Sequence, residues 1–286
     1  MNDIGRFGLW TSGRHWPADA AAVAEAAAEI ENLGYGSLWI GGSPADDLAL
    51  PFAALAATAR LVVGTSIVDI WRSDPKTLSA STARLRDGFP GRFYLGLGMG
   101  HAPAVEATGQ QYVRPLSKLR SFLAELEDVP AGERMLAALG PKALELASTS
   151  AAGALPYLVP AAHTADARRI LGPDKLLIPE QKIFLGTDPA TARTAGRRGT
   201  AIYLNLPNYT NNLRRYGLTD EDFAGEGSDR WVDTLVAWGD AETVRARVEE
   251  HFTAGADHVA LQVLSADPAP QLPMAEIRAA AQVFLS

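Results

Sequence analysis

The stretch "RFYLGLGMGHAP", Arg92–Pro103, decides how this chain is read. Three glycines alternate through its apolar run, which ends against His101, one of five histidines. A dinucleotide-binding turn needs G-x-G-x-x-G leading straight into a helix, with an acidic residue about 20 positions further on. Here the third glycine, Gly100, arrives one place early, and the "HAPAVEATGQQYVRP" that follows reads as a loop and not a helix. The nucleotide turn fails its context test. What is left is a strand whose end carries a titratable ring.

Working outward from that strand, the chain alternates. "GRFGLW", "GSLWIGG", "LVVGTSIVDI", "GRFYLGLGMG", "RMLAAL", "ALPYLV", "LLIPEQKIFLG" and "HVALQVL" read as strands, with helical segments between them. "PADAAAVAEAAAEIENLG" has proline at its front and Gly34 as its stop; "DPKTLSASTARLRDGF" has a proline near its first turn. Strands that are continuous apolar runs are buried on both faces, as in parallel sheets. Eight βα units over this length predict an α/β fold, a (β/α)8 TIM barrel of about 250 residues with insertions. A doubly wound open sheet is the alternative, because strand order is not written in the sequence. No composition shift divides the chain, so residues 1–286 read as a single domain. The longest irregular segment, about 205–237, reads as an insertion between the seventh and eighth βα units, over the catalytic face or at a subunit contact, and a loop of this length is functional or partly helical.

Composition narrows the function. A formal net charge of −7 argues against nucleic acid and anionic membrane surfaces, which need a basic face. With no cysteine, disulfides, thiolate metal sites and cysteine nucleophiles are excluded. The histidines are scattered with no i, i+4 pair, so no metal site is expected. "MNDIGRFGLW" has no signal-peptide pattern and no apolar run reaches membrane-spanning length. A cytoplasmic enzyme or binding protein is the expectation. On a barrel its site lies where strands end, around Trp10, Trp39, Ser43, Ser66 to Trp71, Gly98 to His101 and Tyr157 to Pro160.

The segments "LGYGSLWIGG", "LVVGTSIVDIWRSDP", "GRFYLGLGMG", "AGALPYLVP" and "AGADHVALQVL", in this order, resemble the luciferase-like monooxygenase superfamily. Within it the chain is most similar to the actinobacterial oxidoreductases that use the deazaflavin coenzyme F420. The resemblance implies a barrel with the coenzyme ring across its mouth and a non-prolyl cis peptide after strand three. The matching bond joins Ser66 to Ile67. It also implies a cofactor site of Thr65, Ser66, Ile67, Gly98, Met99 and Gly100, with Tyr157, Leu158, His163 and Thr164 near the phosphate-bearing tail. A helix starting near His163 would offer free N–H groups to a phosphate. Members are often homodimers, and a homodimer is the expectation here.

Departures from the superfamily are equally informative. Its sugar-phosphate dehydrogenases carry Asp-His after strand two and Glu after the strand-four glycines, where this chain has Gly42-Ser43 and His101. Lys182 matches one lysine of their phosphate site, but Asp233 stands at the place of the second. His101 is therefore the acid/base candidate, suited by a pKa near 6.5; its alternative is a cap on the loop before Pro103. Trp10, Trp39, Ser43 and Trp71 are the substrate-pocket candidates, with Trp39 equally readable as core. His163 is either a helix cap or a phosphate ligand, His251 a solvated residue, and His258 structural. Arg168, Arg169 and Lys175 form a local basic cluster, a solvated face or a greeting for an anionic tail. Glu180 and Lys182 alternate within an apolar strand, which predicts a pair inside the barrel.

Three functions follow. The first is hydride transfer between F420 and a small organic substrate. The second is a two-component monooxygenase using FMN, and the third a non-catalytic relative that only binds a flavin or deazaflavin.

Overall fold

The computed structural model describes residues 4–126, 128–268 and 270–286. Eight parallel strand positions run in chain order: Phe7–Ser12, Ser37–Gly41, Val62–Thr65, Phe93–Gly98, Arg134–Leu136, Gly153–Ala154, Leu176–Leu177 continued by Glu180–Leu185, and Val259–Val263. Each pairs with the next. The eighth pairs back with the first, Phe7 opposite Val259. The seventh is interrupted at Pro179, and the Glu180 N–H donating to the Pro156 carbonyl bridges the break. The sheet therefore curls round on itself in a TIM-barrel-like fold. An open doubly wound sheet would have non-sequential neighbours at its centre, and none is present around this ring.

Alternation along the strands builds two cores. Leu9, Leu38, Ile40, Val63, Leu95, Leu97 and Leu261 face outward into the helix layer. Trp10, Trp39, Val62, Tyr94, Met135, Leu155 and Ala260 face inward and fill the barrel. Buried on both faces, the strands read as unbroken apolar runs. Interior glycines make room for the large rings. A Cβ on Gly64 would lie 2.3 Å from Trp39, and one on Gly41 2.1 Å from Trp10.

Helix starts follow local chemistry. Asp19, Asp74, Asp188 and Asp240 each accept the backbone N–H three residues on, capping Ala20–Asn32, Pro75–Gly88, Pro189–Thr200 and Ala241–Thr253. Pro75 and Pro189 occupy first-turn positions where a missing N–H costs nothing.

Two local readings are corrected and two segments gain detail. The run "LVVGTSIVDI" is two strands, Val62–Thr65 and Val68–Asp69, parted at the cis Ser66–Ile67 bond. The segment after Gly100 holds a short helix, Ala102–Glu106, which His101 precedes and which buries Val105. Residues 205–237 are largely regular: helices Pro207–Arg214, Asp220–Phe223 and Asp229–Leu235, then a strand Val236–Gly239 added beside Glu180–Leu185. A Thr219/Asp222 capping box and a Ser228 cap organise these short helices, which have too little apolar periodicity to announce themselves. Helix Met274–Phe284, absent from the sequence reading, buries Ile277, Ala280, Ala281 and Phe284. No helix among the described residues is long and apolar enough to cross a membrane.

Candidate active site

The ends of strands one, three and four form a half-buried ledge. Ser66, Ile67, Met99, Gly100 and His101 are all partly exposed along it. The Trp10 indole N–H donates to Ser66 Oγ at 3.1 Å, fixing strand one against the cis bond. Gly98 and Gly100 do work that the sequence reading gave to the coenzyme. A Cβ on Gly98 would lie 2.6 Å from the Ile67 side chain, and one on Gly100, at φ +61°, 2.5 Å from the Asp69 carboxylate. Their missing side chains admit protein neighbours first. Trp71 donates its indole N–H to the Met99 carbonyl at 2.9 Å, and Ser43 Oγ accepts the Asp69 N–H at 3.0 Å.

His101 stands at the end of this ledge with its Nδ1 buried and unpaired among the described residues. A buried polar atom without a partner is uncommon and asks for a reason. Burial holds the imidazole below its ordinary pKa, while the Asp69 carboxylate works in the opposite direction. Asp69 is itself buried, which raises its pKa against the pull of the Trp71 N–H, Arg72 and His101. The His101 ring lies 5.7 Å from that of Tyr209 and 6.2 Å from that of Tyr203. Tyr203 in turn lies 5.3 Å from Tyr157, and Tyr157 5.2 Å from Trp10. One aromatic wall thus runs from strand one to His101.

Behind the wall sits a polar network. Lys182 is fully buried and donates to Tyr157 Oη at 2.9 Å, Glu180 Oε1 at 3.1 Å and Gln262 Oε1 at 3.1 Å. Three ammonium donors meet three acceptors, so nothing remains for a phosphate. Tyr157 Oη accepts from Lys182 and Tyr203 and donates to Gln262 at 2.9 Å. It too is saturated. Burial and the neighbouring Tyr203 and Glu180 push the Tyr157 phenol well above its ordinary pKa, and burial lifts Tyr203 to about 12. Burial drives Glu180 up and Lys182 down, and each charge holds the other in place. The pair predicted from their alternation is present, inside the barrel.

Beside the ledge, a cavity of about 240 Å³ opens between strands one and eight, lined by Trp10, Tyr157, Ile202, Tyr203, Gln262 and Leu264 among others. Trp10 faces both regions.

Other predicted residues lie elsewhere. Thr65 is buried and exchanges hydrogen bonds at 2.8 Å with the Gly96 carbonyl and N–H, tying strand three to strand four. Trp39 is core, its indole donating to Ser37 Oγ and its ring beside Tyr94. Leu158 is buried, with φ +55° and its N–H on Glu180 Oε2. His163 is buried and donates from Nε2 to the Leu139 carbonyl at 2.8 Å. Thr164 donates to His251 Nδ1 at 2.8 Å, between two helices of the outer layer. His163 Nδ1, like that of His101, is buried and without a partner among the described residues. His251, read as solvated, is buried, whereas His258 is structural as expected, bonded to Gly5 and Ser37. Arg168 donates to the carbonyls of Gly255, Gly172 and Lys175 and to Asp257, which makes it a structural clamp.

Tyr203, Tyr209 and Gln262 were not anticipated, and Asp69, though within the Ser66 to Trp71 stretch placed at the mouth, was given no role. Asp69 and Gln262 carried a signal, each a lone polar residue at an inward or strand-end position of an apolar run. Tyr203 and Tyr209 carried none, because their place over the mouth depends on how residues after 200 fold back.

A family model described as luciferase-like monooxygenase matches residues 5–216. A Mycobacterium tuberculosis protein that bears the name coenzyme F420-dependent oxidoreductase is 28% identical over 120 residues, 41% of this chain. That match spans only 35% of the relative's length. Similar solved structures include an F420-dependent secondary alcohol dehydrogenase in complex with an F420-acetone adduct, with a TM-score of 0.75, 16% identity and 98% of both chains covered. The coenzyme F420 dependent tetrahydromethanopterin reductase from Methanopyrus kandleri gives 0.76 at 16% identity, covering 97% of this chain and 96% of its own. The FMN-bound oxygenating constituent of 3,6-diketocamphane monooxygenase from Pseudomonas putida gives 0.70 at 12%, covering 97% and 96%. At these identities the structural likeness speaks to fold.

Proposed function

Because the chain belongs to the luciferase-like monooxygenase family, we propose that it is an oxidoreductase using the deazaflavin coenzyme F420 on a small organic substrate. The observation that carries this reading is the ledge itself: partly exposed Ser66, Ile67, Met99 and Gly100 ending at a histidine whose buried Nδ1 lacks a partner. These residues fit a flat ring resting against backbone. When bound, the deazaflavin supplies hydride transfer. The relative by sequence that bears the name of an F420-dependent oxidoreductase supports that coenzyme over FMN.

The chain's own residues position and protonate. Trp10 holds Ser66 in place from one side, and Trp71 holds Met99 from the other. His101 carries the proton at the ledge, with Asp69 sustaining its basicity against burial. Tyr203, just before the 205–237 region, and Tyr209, near its start, shield the mouth from water. The Tyr157 and Thr164 hydroxyls are engaged with other residues, which leaves backbone groups and the unpaired His163 Nδ1 as the candidates for the coenzyme's tail.

The test is a pair of fluorescence titrations of the protein, one with F420 and one with FMN. Saturable binding of F420 with much weaker FMN binding is expected. Tight FMN binding without F420 binding would replace this reading with the two-component monooxygenase. Binding of F420 with no turnover on any hydride donor or acceptor would leave a carrier protein.

A further inference from the structure

The cavity between strands one and eight is floored by one amide whose orientation is determined. Gln262 stands in parallel register with Lys182. Lys182 Nζ and the Tyr157 hydroxyl both donate to its Oε1, at 3.1 and 2.9 Å. An ammonium only donates, so the atom it meets is the amide oxygen and the amide cannot be reversed. Nε2 is turned away from this network and makes no hydrogen bond among the described residues, while the side chain lines the cavity. It is a donor without an acceptor, held by two bonds on its other atom.

The surroundings define what that donor would meet. The rings of Trp10, Tyr157 and Tyr203, with Ile202 and Leu264, make apolar walls. The Lys182 charge behind Gln262 is matched by Glu180. At the rim, Arg198 donates to the carbonyls of Ser265 and Ala266. Arg14 and Asp267 also line the cavity, one charge of each sign, and Gln262 Nε2 adds a directed N–H. At about 240 Å³ the space lies below the roughly 300–1,000 Å³ of pockets for drug-sized ligands, which limits it to a small ring compound.

We propose that this cavity is the substrate pocket and that Gln262 is its specificity-determining residue, selecting small neutral ring compounds that carry a carbonyl oxygen. The word substrate rests on the oxidoreductase reading above; the binding does not. Saturation-transfer NMR titrations of the whole chain with acetophenone and with ethylbenzene, its carbonyl-free analogue, test it. A net hydrogen bond of this kind corresponds to about a five- to tenfold preference for the ketone. In Gln262→Glu the acceptor of Lys182 and Tyr157 is kept but the cavity meets an oxygen in place of N–H, and the preference disappears. F420 quenching in that variant stays at the wild-type level.

Equal affinity of the two compounds for the wild type overturns the proposal without reference to any variant. So does a ketone preference that survives in folded Gln262→Glu, with folding checked by circular dichroism. A ketone preference in a protein that does not bind F420 supports the pocket and overturns the coenzyme reading.

Discussion

The ammonium of Lys182 lies 2.9 Å from the Tyr157 hydroxyl, inside a barrel whose other interior residues are mostly apolar. That contact joins the buried Glu180–Lys182 pair to the aromatic wall of the mouth. Apart from Gln262 Nε2, which is turned to the cavity, the network is satisfied: the carboxylate also accepts the Leu158 N–H, and Gln262 Oε1 receives two donors. A buried network whose charges and hydroxyls are paired in this way specifies one arrangement of the groups around it, here the Tyr157 and Tyr203 positions of the site.

Removing the cation leaves Glu180 buried with no opposite charge. Lys182→Met is expected to lower unfolding stability by roughly 3–5 kcal/mol, the range for one broken partner of a buried pair. Urea denaturation of Lys182→Met and of the Glu180→Gln/Lys182→Met double variant measures it. The double variant should recover part of the loss, since no unpaired charge remains. A single variant as stable as wild type would show that the pair is not ionised.

Asp69 acts on His101 through charge. Its carboxylate raises an imidazole pKa that burial lowers, so removing the charge leaves burial unopposed. Asp69→Asn should therefore move the His101 titration to lower pH, and the same shift should follow in any pH–rate limb that His101→Gln abolishes. Proton NMR titration of the imidazole C–H signals, assigned with His101→Gln, reads the first effect directly. A shift to higher pH would mean that Asp69 does not face the ring as a charge.

How much of this was legible in the sequence depends on whether a side chain answers to its neighbours along the chain or across the fold. The strands were legible because both faces are buried, and the helix starts because aspartate caps and first-turn prolines are local. Glu180 and Lys182 were legible because residues two apart in a strand share a face. His251 was misread from its charged surroundings, "VEEHF", yet it continues the buried stripe of Val244 and Val248 at helical spacing, a signal that was available. His163 and Thr164 likewise share a buried face with Ala167 and Leu171. Tyr203 and Tyr209 had no such signal. Tyr209 meets His101 through tertiary packing alone, so its part in the site could not be read from periodicity.

The interior glycines predict a compensating pair. A Cβ on Gly64 would sit 2.3 Å from the Trp39 ring, too close without movement in a filled barrel. Gly64→Ala is expected to destabilise by about 1–3 kcal/mol through overpacking. In a Trp39→Leu background, where the space is empty, the same change should cost much less or stabilise. Denaturant midpoints of the four chains of this double-mutant cycle give the coupling, and additive effects would show that Trp39 does not fill the space at Gly64 in solution.

His251 makes stability depend on pH, and the hydrogen bonds give the sign. Gln181 Nε2 donates to the carbonyls of Lys182 and Leu235, so its Oε1 faces His251 Nε2 at 2.9 Å and must accept. The ring therefore carries its proton on Nε2, and Nδ1 accepts from Thr164 at 2.8 Å. A second proton has no acceptor, and burial, aided by Arg247 and His163, lowers the pKa from 6.5 to about 4. The unfolded imidazole binds a proton below pH 6.5, the folded one only near pH 4, so unfolding is favoured as pH falls through that window. The contribution is complete above pH 6.5 and is lost by about pH 4, on the order of 3 kcal/mol in all. His251→Gln removes this titration while other groups keep theirs. Urea midpoints at pH 7 and pH 4.5 should fall more steeply for the wild type than for His251→Gln. Parallel falls in the two chains would place the acid sensitivity elsewhere.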